Sequence, residues 1–314
     1  MPDTKAPKAV GPFAAHTDPR HRVIISGHGE TKVGKSSFPM WGPDPVLIFD
    51  LDRRLEGVID RFRSGEATNG SPRVVETIPL HMPPPPNSRF FTVSKDLREK
   101  DEKERKEAER LWNVFVTNYT AALKGTLKAP DGRAFRTIAI DTLTELQELR
   151  LLAEFGRLIG FRQRERGGAN SDLVEIVRLA EAHDVNVVVL HQMKDEYVRT
   201  KKQQLNQATG QMETVDDSDR TGKRVIKGYD KTPYITQAHL AFTYNEKKKR
   251  FEVEVVTCGV NAEMNRRVYS EEDWAVPDGE GGWAVNFGPF AWIAAEMTRT
   301  GVEEWLGGEE DAAV

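Results

Sequence analysis

The sequence predicts an α/β fold: a mostly parallel sheet with helices on both faces and an antiparallel strand extension toward the C-terminus. Two observations carry this expectation. Four short apolar runs, at 22–26, 45–50, 136–141 and 185–190, alternate with longer polar, helix-compatible stretches. That alternation builds parallel sheets, and runs apolar at successive positions belong to strands covered on both faces. Two further runs, 239–244 and 251–257, flank the polar segment 245–250, a spacing that suits an antiparallel pair.

Taken in order, residues 1–20 are rich in Pro, Ala and Lys without an apolar signal core, and read as a disordered lead. The run 22–26 is the first strand, and a glycine-bearing loop follows it over 27–34. A short helix is expected from Lys35, ended early by Pro39 and by Gly42-Pro43, because proline cannot continue a helix. The second strand ends in Asp50; residues 53–63 read as helix and 73–78 as a strand. Pro83 to Pro86 make a stiff surface connection.

Nearly every residue from 95 to 110 is charged, with Glu99 and Lys103, Asp101 and Arg105, and Glu102 and Lys106 spaced i,i+4 in the favourable order. This is an exposed helix that turns amphipathic at Leu111, Trp112, Phe115 and Tyr119 and docks there: a charged helical insertion over 95–124. The third strand ends in Asp141 and leads into a leucine-rich helix. Ser171 is placed to cap the next helix, which runs to His183, and the fourth strand ends at His191-Gln192. Residues 194–231 are polar and too long for a simple connection, so they read as a mobile loop or an extended hairpin. The C-terminal part, 276–314, carries an amphipathic helix over 290–297 and an acidic end, set apart from a core over 21–275.

The bulk properties exclude several classes. The chain has 314 residues, 38% hydrophobic and 30% charged, with a net charge of -4, so any nucleic-acid surface is a local patch rather than a global field. A single cysteine, Cys258, rules out a disulfide framework and a cysteine zinc site within one chain, and its apolar neighbours mark a buried structural thiol. The seven histidines show no metal-ligand spacing. No run is long enough to span a bilayer, and a cytoplasmic protein is expected.

The sharpest motif is Gly29-Glu30-Thr31-Lys32-Val33-Gly34-Lys35-Ser36, followed by Ser37, which fits G-x-x-x-x-G-K-[ST] without a mismatch. Its glycines let the backbone wrap so that successive N–H groups point at phosphate oxygens. An apolar strand before it and a helix signal after it supply the context the motif needs. The reading is a nucleoside triphosphate site with magnesium: Lys35 on the β- and γ-phosphates, the Ser36 hydroxyl on Mg²⁺, and Lys32 either on phosphate or facing solvent. Asp141, at the end of an apolar strand, is the matching Walker B carboxylate for the metal shell, with helix capping as its alternative role. Thr142 follows it, so a water-activating carboxylate must come from elsewhere. Asp52, sharing a face with Asp50 along an extended segment, and Glu145, one helical turn after Asp141, are the two candidates. Gln192, and His191 beside it, stand where a polar group can sense the γ-phosphate and inform the following segment.

The set 29–36, Asp50-Leu51-Asp52, Ile138-Ala139-Ile140-Asp141-Thr142 and Val188-Val189-Leu190-His191-Gln192 resembles the core of the RecA-type P-loop ATPases. In particular it is similar to compact phage-encoded AAA-family proteins, including the Sak-type single-strand-annealing group. The resemblance spans about a fifth of the chain. It implies ATP hydrolysis with Mg²⁺, with Lys35 and Ser36 on phosphate and metal and Asp141 supporting the metal. It also implies Asp52 at the position of a catalytic glutamate, one methylene shorter, and Gln192 as an amide that couples nucleotide to a DNA-facing segment over 194–231. Single-stranded DNA as partner, a homo-oligomer, a role in phage recombination or replication and a phage-infected bacterial host follow from the same resemblance, as does a basic tip at 247–250 that reaches a neighbour's nucleotide. A nucleotide-dependent switch or assembly module with little turnover and no DNA is the competing expectation; a small-molecule kinase is disfavoured because no arginine-rich lid is evident.

Overall fold

The protein is described here by a computed structural model covering residues 22–53, 55, 57–81, 97–156, 163–205, 212–277 and 283–306. The N-terminal lead, the proline tract and the acidic end lie outside the described residues. The elements in chain order are β1 (Ile24–Gly29), β2 (Val46–Asp50), α1 (Val58–Arg63), β3 (Val75–Pro79), α2 (Leu97–Leu123), β4 (Thr137–Asp141), α3 (Leu143–Phe155), α4 (Gln163–Glu181) and β5 (Asn186–His191). They continue with β6 (Met193–Leu205), β7 (Met212–Ile226), β8 (Ala238–Asn245), β9 (Arg250–Cys258), β10 (Val268–Ser270), α5 (Glu271–Trp274), β11 (Ala275–Pro277), β12 (Trp283–Asn286) and α6 (Gly288–Thr298).

One eight-stranded sheet organises the chain, in the order β10-β9-β8-β1-β5-β4-β2-β3. The six strands from β8 to β3 pair in parallel, while β9 and β10 extend the β8 edge in antiparallel steps. The strand that ends in Asp141 does not touch β1, because β5 lies between them. This order, with the phosphate-loop strand and the acidic strand separated by one parallel strand, is the RecA-like P-loop core with an antiparallel C-terminal extension.

Alternation along each strand fills two cores. Ile25, Ile48, Ala139, Val188 and Leu240 join Phe38, Ile59, Trp274 and Phe290 on one face, beneath α1, α5 and α6. Ile24, Leu47, Phe49, Ile138, Ile140, Val187 and Val189 join Phe115, Leu146 and Val177 on the other, beneath α2, α3 and α4. A strand's side chains point to opposite faces in turn, so runs such as 46–50, buried throughout, need a covering layer on each side.

Several expectations are refined or corrected. The helix beginning at Lys35 is reduced to a turn over 34–37 and a 3₁₀ turn at Phe38–Trp41, because Pro39 falls in its first turn. Ser171 does not cap α4; it lies inside it and its hydroxyl donates to the Gly167 carbonyl at 3.0 Å. The expected insertion, as far as it is described, is α2, a full member of the core: Phe115 and Tyr119 are buried against Phe49. On its outer side Glu102 pairs with Lys106 as expected, but Arg105 turns to Glu102 and Glu109. Of the two expectations for the segment after Gln192, the extended hairpin is the one formed: β6 and β7 pair as an antiparallel ladder from Met193↔Ile226 to Leu205↔Met212. Helix α6 belongs to the first core rather than to a separate C-terminal unit.

Candidate functional site

The carboxyl ends of the parallel strands converge on a cavity of about 930 Å³. It is lined by every residue from Gly29 to Ser37, and by Asp52, Asp141, Gln192 and Arg224. Ligands on open parallel sheets bind at this end, where chain direction and helix position change.

Two glycines of the loop are required by geometry. A Cβ on Gly29 would fall 2.5 Å from the Phe242 carbonyl oxygen, so the loop can leave β1 hard against β8 only without a side chain. Gly34 has φ +85°, in the left-handed region that favours glycine. Past it the chain closes a single helical turn, with Ser37 N and Phe38 N donating to the Gly34 carbonyl at 3.2 and 3.1 Å. Lys35 Nζ lies back along the loop and donates to the Glu30 carbonyl at 3.1 Å.

Beneath the loop, Ser36 and Asp141 line the same cavity, although the loop follows β1 and Asp141 ends β4, two strands that do not touch. Burial raises the Asp141 carboxyl to about 6, an effect that the nearby Ser36 hydroxyl and the Lys35 charge partly offset. Thr142, after it, caps α3 by accepting from Glu145 N at 3.3 Å, so the capping role falls to Thr142 rather than to Asp141.

The two aspartates after β2 separate. Asp50 accepts from Arg53 N at 3.1 Å and lies 2.9 Å from His81 Nε2, while Asp52 lines the cavity. They do not share a face as an extended segment would have it, because β2 ends at Asp50 and the chain turns there. Glu145 is held on the flank: its carboxylate accepts from Gln192 Nε2 at 2.8 Å, and burial pushes its carboxyl up.

Gln192 is therefore tied to the start of α3 as well as facing the cavity. Its backbone N–H donates to Thr144 Oγ1 at 3.1 Å, and Thr144 in turn donates to the Lys227 carbonyl at 3.0 Å. Lys227 Nζ reaches Gln192 Oε1 at 3.4 Å and Glu148 at 2.9 Å. This polar knot joins the end of β5, α3 and the base of the β6–β7 hairpin. His191 takes no part at the cavity wall. It is fully buried, in register with His28 of β1, and neither ring nitrogen has a hydrogen-bond partner among the described residues.

His28 and His239 were not singled out by spacing. His28, at the end of β1, donates to or accepts from His239 of β8 at 2.7 Å, and His239 meets the Ser26 hydroxyl at 2.7 Å. Burial lowers all three rings: His191 and His239 to about 3, helped by the neighbouring imidazoles, and His28 despite Glu254. They are neutral at pH 7 and form a polar layer under the loop. The contact of Arg224 with Glu30, at 3.2 Å, was also invisible in the linear pattern. At the β8–β9 turn, Arg250 is engaged within the chain by Glu252 and Glu272 at 3.2 and 2.5 Å, which removes it from the exposed tip expected over 247–250.

Among the described residues, no group of three or more His, Cys, Asp and Glu could hold a metal ion, and no helix is long and apolar enough to cross a membrane. No family model and no curated protein matches the chain. Among solved structures it is similar to a KaiC-like protein, PH0186, from the hyperthermophilic archaeon Pyrococcus horikoshii OT3. The identity is 10%, over 79% of this chain and 84% of that one, with a TM-score of 0.35. That likeness is too distant to speak to function; independently of it, strand order and phosphate loop give this chain a RecA-like α/β fold.

Proposed function

We propose that the chain binds ATP with magnesium at the loop from Gly29 to Ser36 and hydrolyses it, acting on single-stranded DNA as an oligomer. The observation that carries the nucleotide reading is that Ser36 and the buried Asp141 line one cavity walled by the whole loop. Their side-chain oxygens fit magnesium. They are hard donors, too few for an all-protein cage, and magnesium keeps several waters and binds through one or two protein oxygens plus phosphate. When bound, the ion neutralises phosphate charge; Ser36 would hold it directly and Asp141 would support it.

The other residues take roles by position. The loop's N–H groups and Lys35 hold phosphate oxygens, Lys35 exchanging its Glu30 carbonyl for them. Asp52, on the cavity wall, orients water and accepts its proton. Glu145 is engaged by Gln192 and is the weaker choice for that task. Gln192 links the cavity to the hairpin base. For DNA, the support is the hairpin itself: Tyr197 is 57% exposed, as a base-stacking platform requires, and Lys194 and Lys223 stand on the same two strands. The phage setting and the Sak-type grouping rest on the sequence resemblance alone.

The test is ATP hydrolysis by the purified chain with and without single-stranded DNA, beside Lys35→Ala. Turnover that rises with DNA and disappears in the variant supports the proposal. Turnover absent in the parent chain despite tight ATP binding would remove the hydrolase reading. Absence of any oligonucleotide shift at low salt, with any nucleotide, would remove the DNA reading.

One observation favours the second reading, a nucleotide-dependent switch that binds no DNA. The hairpin-base cations are committed within the chain: Arg220 to Asp195, Arg224 to Glu30, and Lys227 to Glu148. Tight ATP binding with negligible turnover, unaffected by DNA, would select it.

A further inference from the structure

We propose that Arg224 is the residue through which the β6–β7 hairpin reads the phosphate chain of the bound nucleotide, and that its ion pair with Glu30 is the hairpin's resting latch. This rests on the nucleotide reading above and goes beyond it. It assigns a nucleotide-contacting residue outside the P-loop, and on the same chain.

Arg224 stands near the end of β7, two residues before the strand returns to the body at Ile226. Its guanidinium is aimed at the loop: Nη1 is 3.2 Å from Glu30 Oε1, Nε is 3.6 Å from Asp195 Oδ1, and Nη2 donates to the Met193 carbonyl at 3.3 Å. It lines the same cavity as Lys35, Ser36 and Asp141. Glu30 is thus held twice, by Lys35 on its carbonyl and by Arg224 on its carboxylate. Lys35 and Arg224 rest on one loop residue.

Charge decides which partner wins when a triphosphate is present. The Arg224 and Glu30 side chains are 40% and 52% exposed, so solvent weakens their pair. A triphosphate offers several anionic oxygens in a partly enclosed cavity, and the planar guanidinium fork matches phosphate geometry better than any other side chain. Exchange of Glu30 for phosphate is therefore favoured most when the γ-phosphate is present, and least with a diphosphate.

The exchange is mechanically connected. Three residues beyond Arg224, Lys227 is pinned to the α3 side by Glu148 at 2.9 Å and by Thr144 through its carbonyl at 3.0 Å. The base of β7 is thus anchored on the loop at one point and on α3 at the next. A change of partner at Arg224 alters the hairpin's seating while Lys227 stays fixed, a local charge event with a distant readout.

The experiment measures dissociation constants for a fluorescent non-hydrolysable ATP analogue and for fluorescent ADP, both with Mg²⁺. Hydrogen exchange of the hairpin amides is followed under the same conditions. The proteins are the unmodified chain, Arg224→Ala, Arg224→Lys and Lys35→Ala. Expected are a preference for the triphosphate in the unmodified chain, reduced about tenfold in Arg224→Ala with ADP affinity nearly unchanged, and partial recovery in Arg224→Lys. The triphosphate should alter exchange near residues 193–198 and 219–226 in the unmodified chain and not in Arg224→Ala. An Arg224→Ala variant that keeps both the preference and the exchange response overturns the assignment while leaving the P-loop reading intact. Failure of the unmodified chain to bind either nucleotide, or binding that survives in Lys35→Ala, overturns the P-loop reading itself.

Discussion

The phosphate loop and the base of the β6–β7 hairpin face each other across one cavity, yet they are built differently. The loop is a contiguous piece of chain whose shape is set by its own glycines and by contact with Phe242. The hairpin base is an assembly from distant segments: Gln192, Thr144, Glu145 and Glu148 from two elements, Arg224 and Lys227 from a third. The loop's interactions are local and backbone-made, so they tolerate little substitution. The hairpin's are side-chain ion pairs, largely exposed, each weak and exchangeable. A rigid binding element set against a lightly latched one is what a nucleotide-responsive protein needs.

The sharpest way to test that difference is to damage the loop. Lys35→Ala should weaken Mg-nucleotide binding by more than about a hundredfold, as expected for loss of a charge-assisted phosphate contact in a partly enclosed site, with little change in melting temperature. Isothermal titration calorimetry beside thermal unfolding checks both halves. If binding survives, the loop is not the phosphate site.

Acid should strike the layer beneath the loop. His191 and His239 are held near 3 in the fold against an ordinary 6.5, so the native state takes up protons later than the unfolded chain. Their stability contribution is complete above pH 6.5 and is lost as pH falls toward 3, amounting to about 2 kcal/mol per histidine at pH 5. Asp141 works in the opposite direction. Its carboxyl is raised to about 6 from 3.8, so its burial cost is complete above pH 6 and is relieved as pH falls through 6 toward 3.8. Two histidines outweigh one aspartate, and denaturant midpoints should fall from pH 7 to pH 5. A rise would show that the imidazoles are protonated in the fold.

Asp141→Asn separates stability from binding at the same spot. Removing a buried charge should stabilise the ligand-free chain by about 1–3 kcal/mol at pH 7.5, while magnesium-dependent nucleotide affinity collapses. Urea unfolding and nucleotide titration with and without Mg²⁺ read the two effects. Loss of stability with unchanged affinity would mean that the aspartate is a structural cap. Gly34→Ala, forced to φ +85°, should cost about 1–2 kcal/mol and lower nucleotide affinity with it.

The hairpin side should answer more softly. Lys227→Met removes an ion pair with Glu148 whose two side chains are 37% and 34% exposed, and global stability should change by less than about 1 kcal/mol. Amide exchange in β7 should nevertheless rise, because the anchor to α3 is lost. A drop in global stability as large as that of a loop variant would erase the contrast between the two regions.

What could be read from the sequence and what could not divides along the same line. The four apolar runs became β1, β2, β4 and β5, since continuous burial leaves a strand few alternatives, and the motif at 29–36 announced its own loop. The acids at strand ends were legible as candidates, because parallel strands all deliver their carboxyl ends to one side of the sheet. Asp52 was the legible candidate of its pair, but not the turn after β2 that separates the two, sending Asp50 to His81 and Arg53 and Asp52 to the cavity wall. Pro39 and the length of the polar stretch after Gln192 did signal a short helix and a possible hairpin, which β6 and β7 form, but nothing local showed that Ser171 would fall inside α4.

The sequence by itself determined the elements that follow from local rules: buried strands from apolar runs, a phosphate loop from glycine and lysine placement, an exposed helix from i,i+4 charge pairs. The tertiary structure alone decided the rest. Insertion of β5 between β1 and β4 set Ser36 and Asp141 on one cavity, three neighbouring strands placed His28, His191 and His239 together with His28 stacked on His239, and the returning hairpin laid Arg224 on Glu30. Each is a meeting of residues far apart in the chain. Such meetings depend on strand order and register, which no short-range pattern encodes.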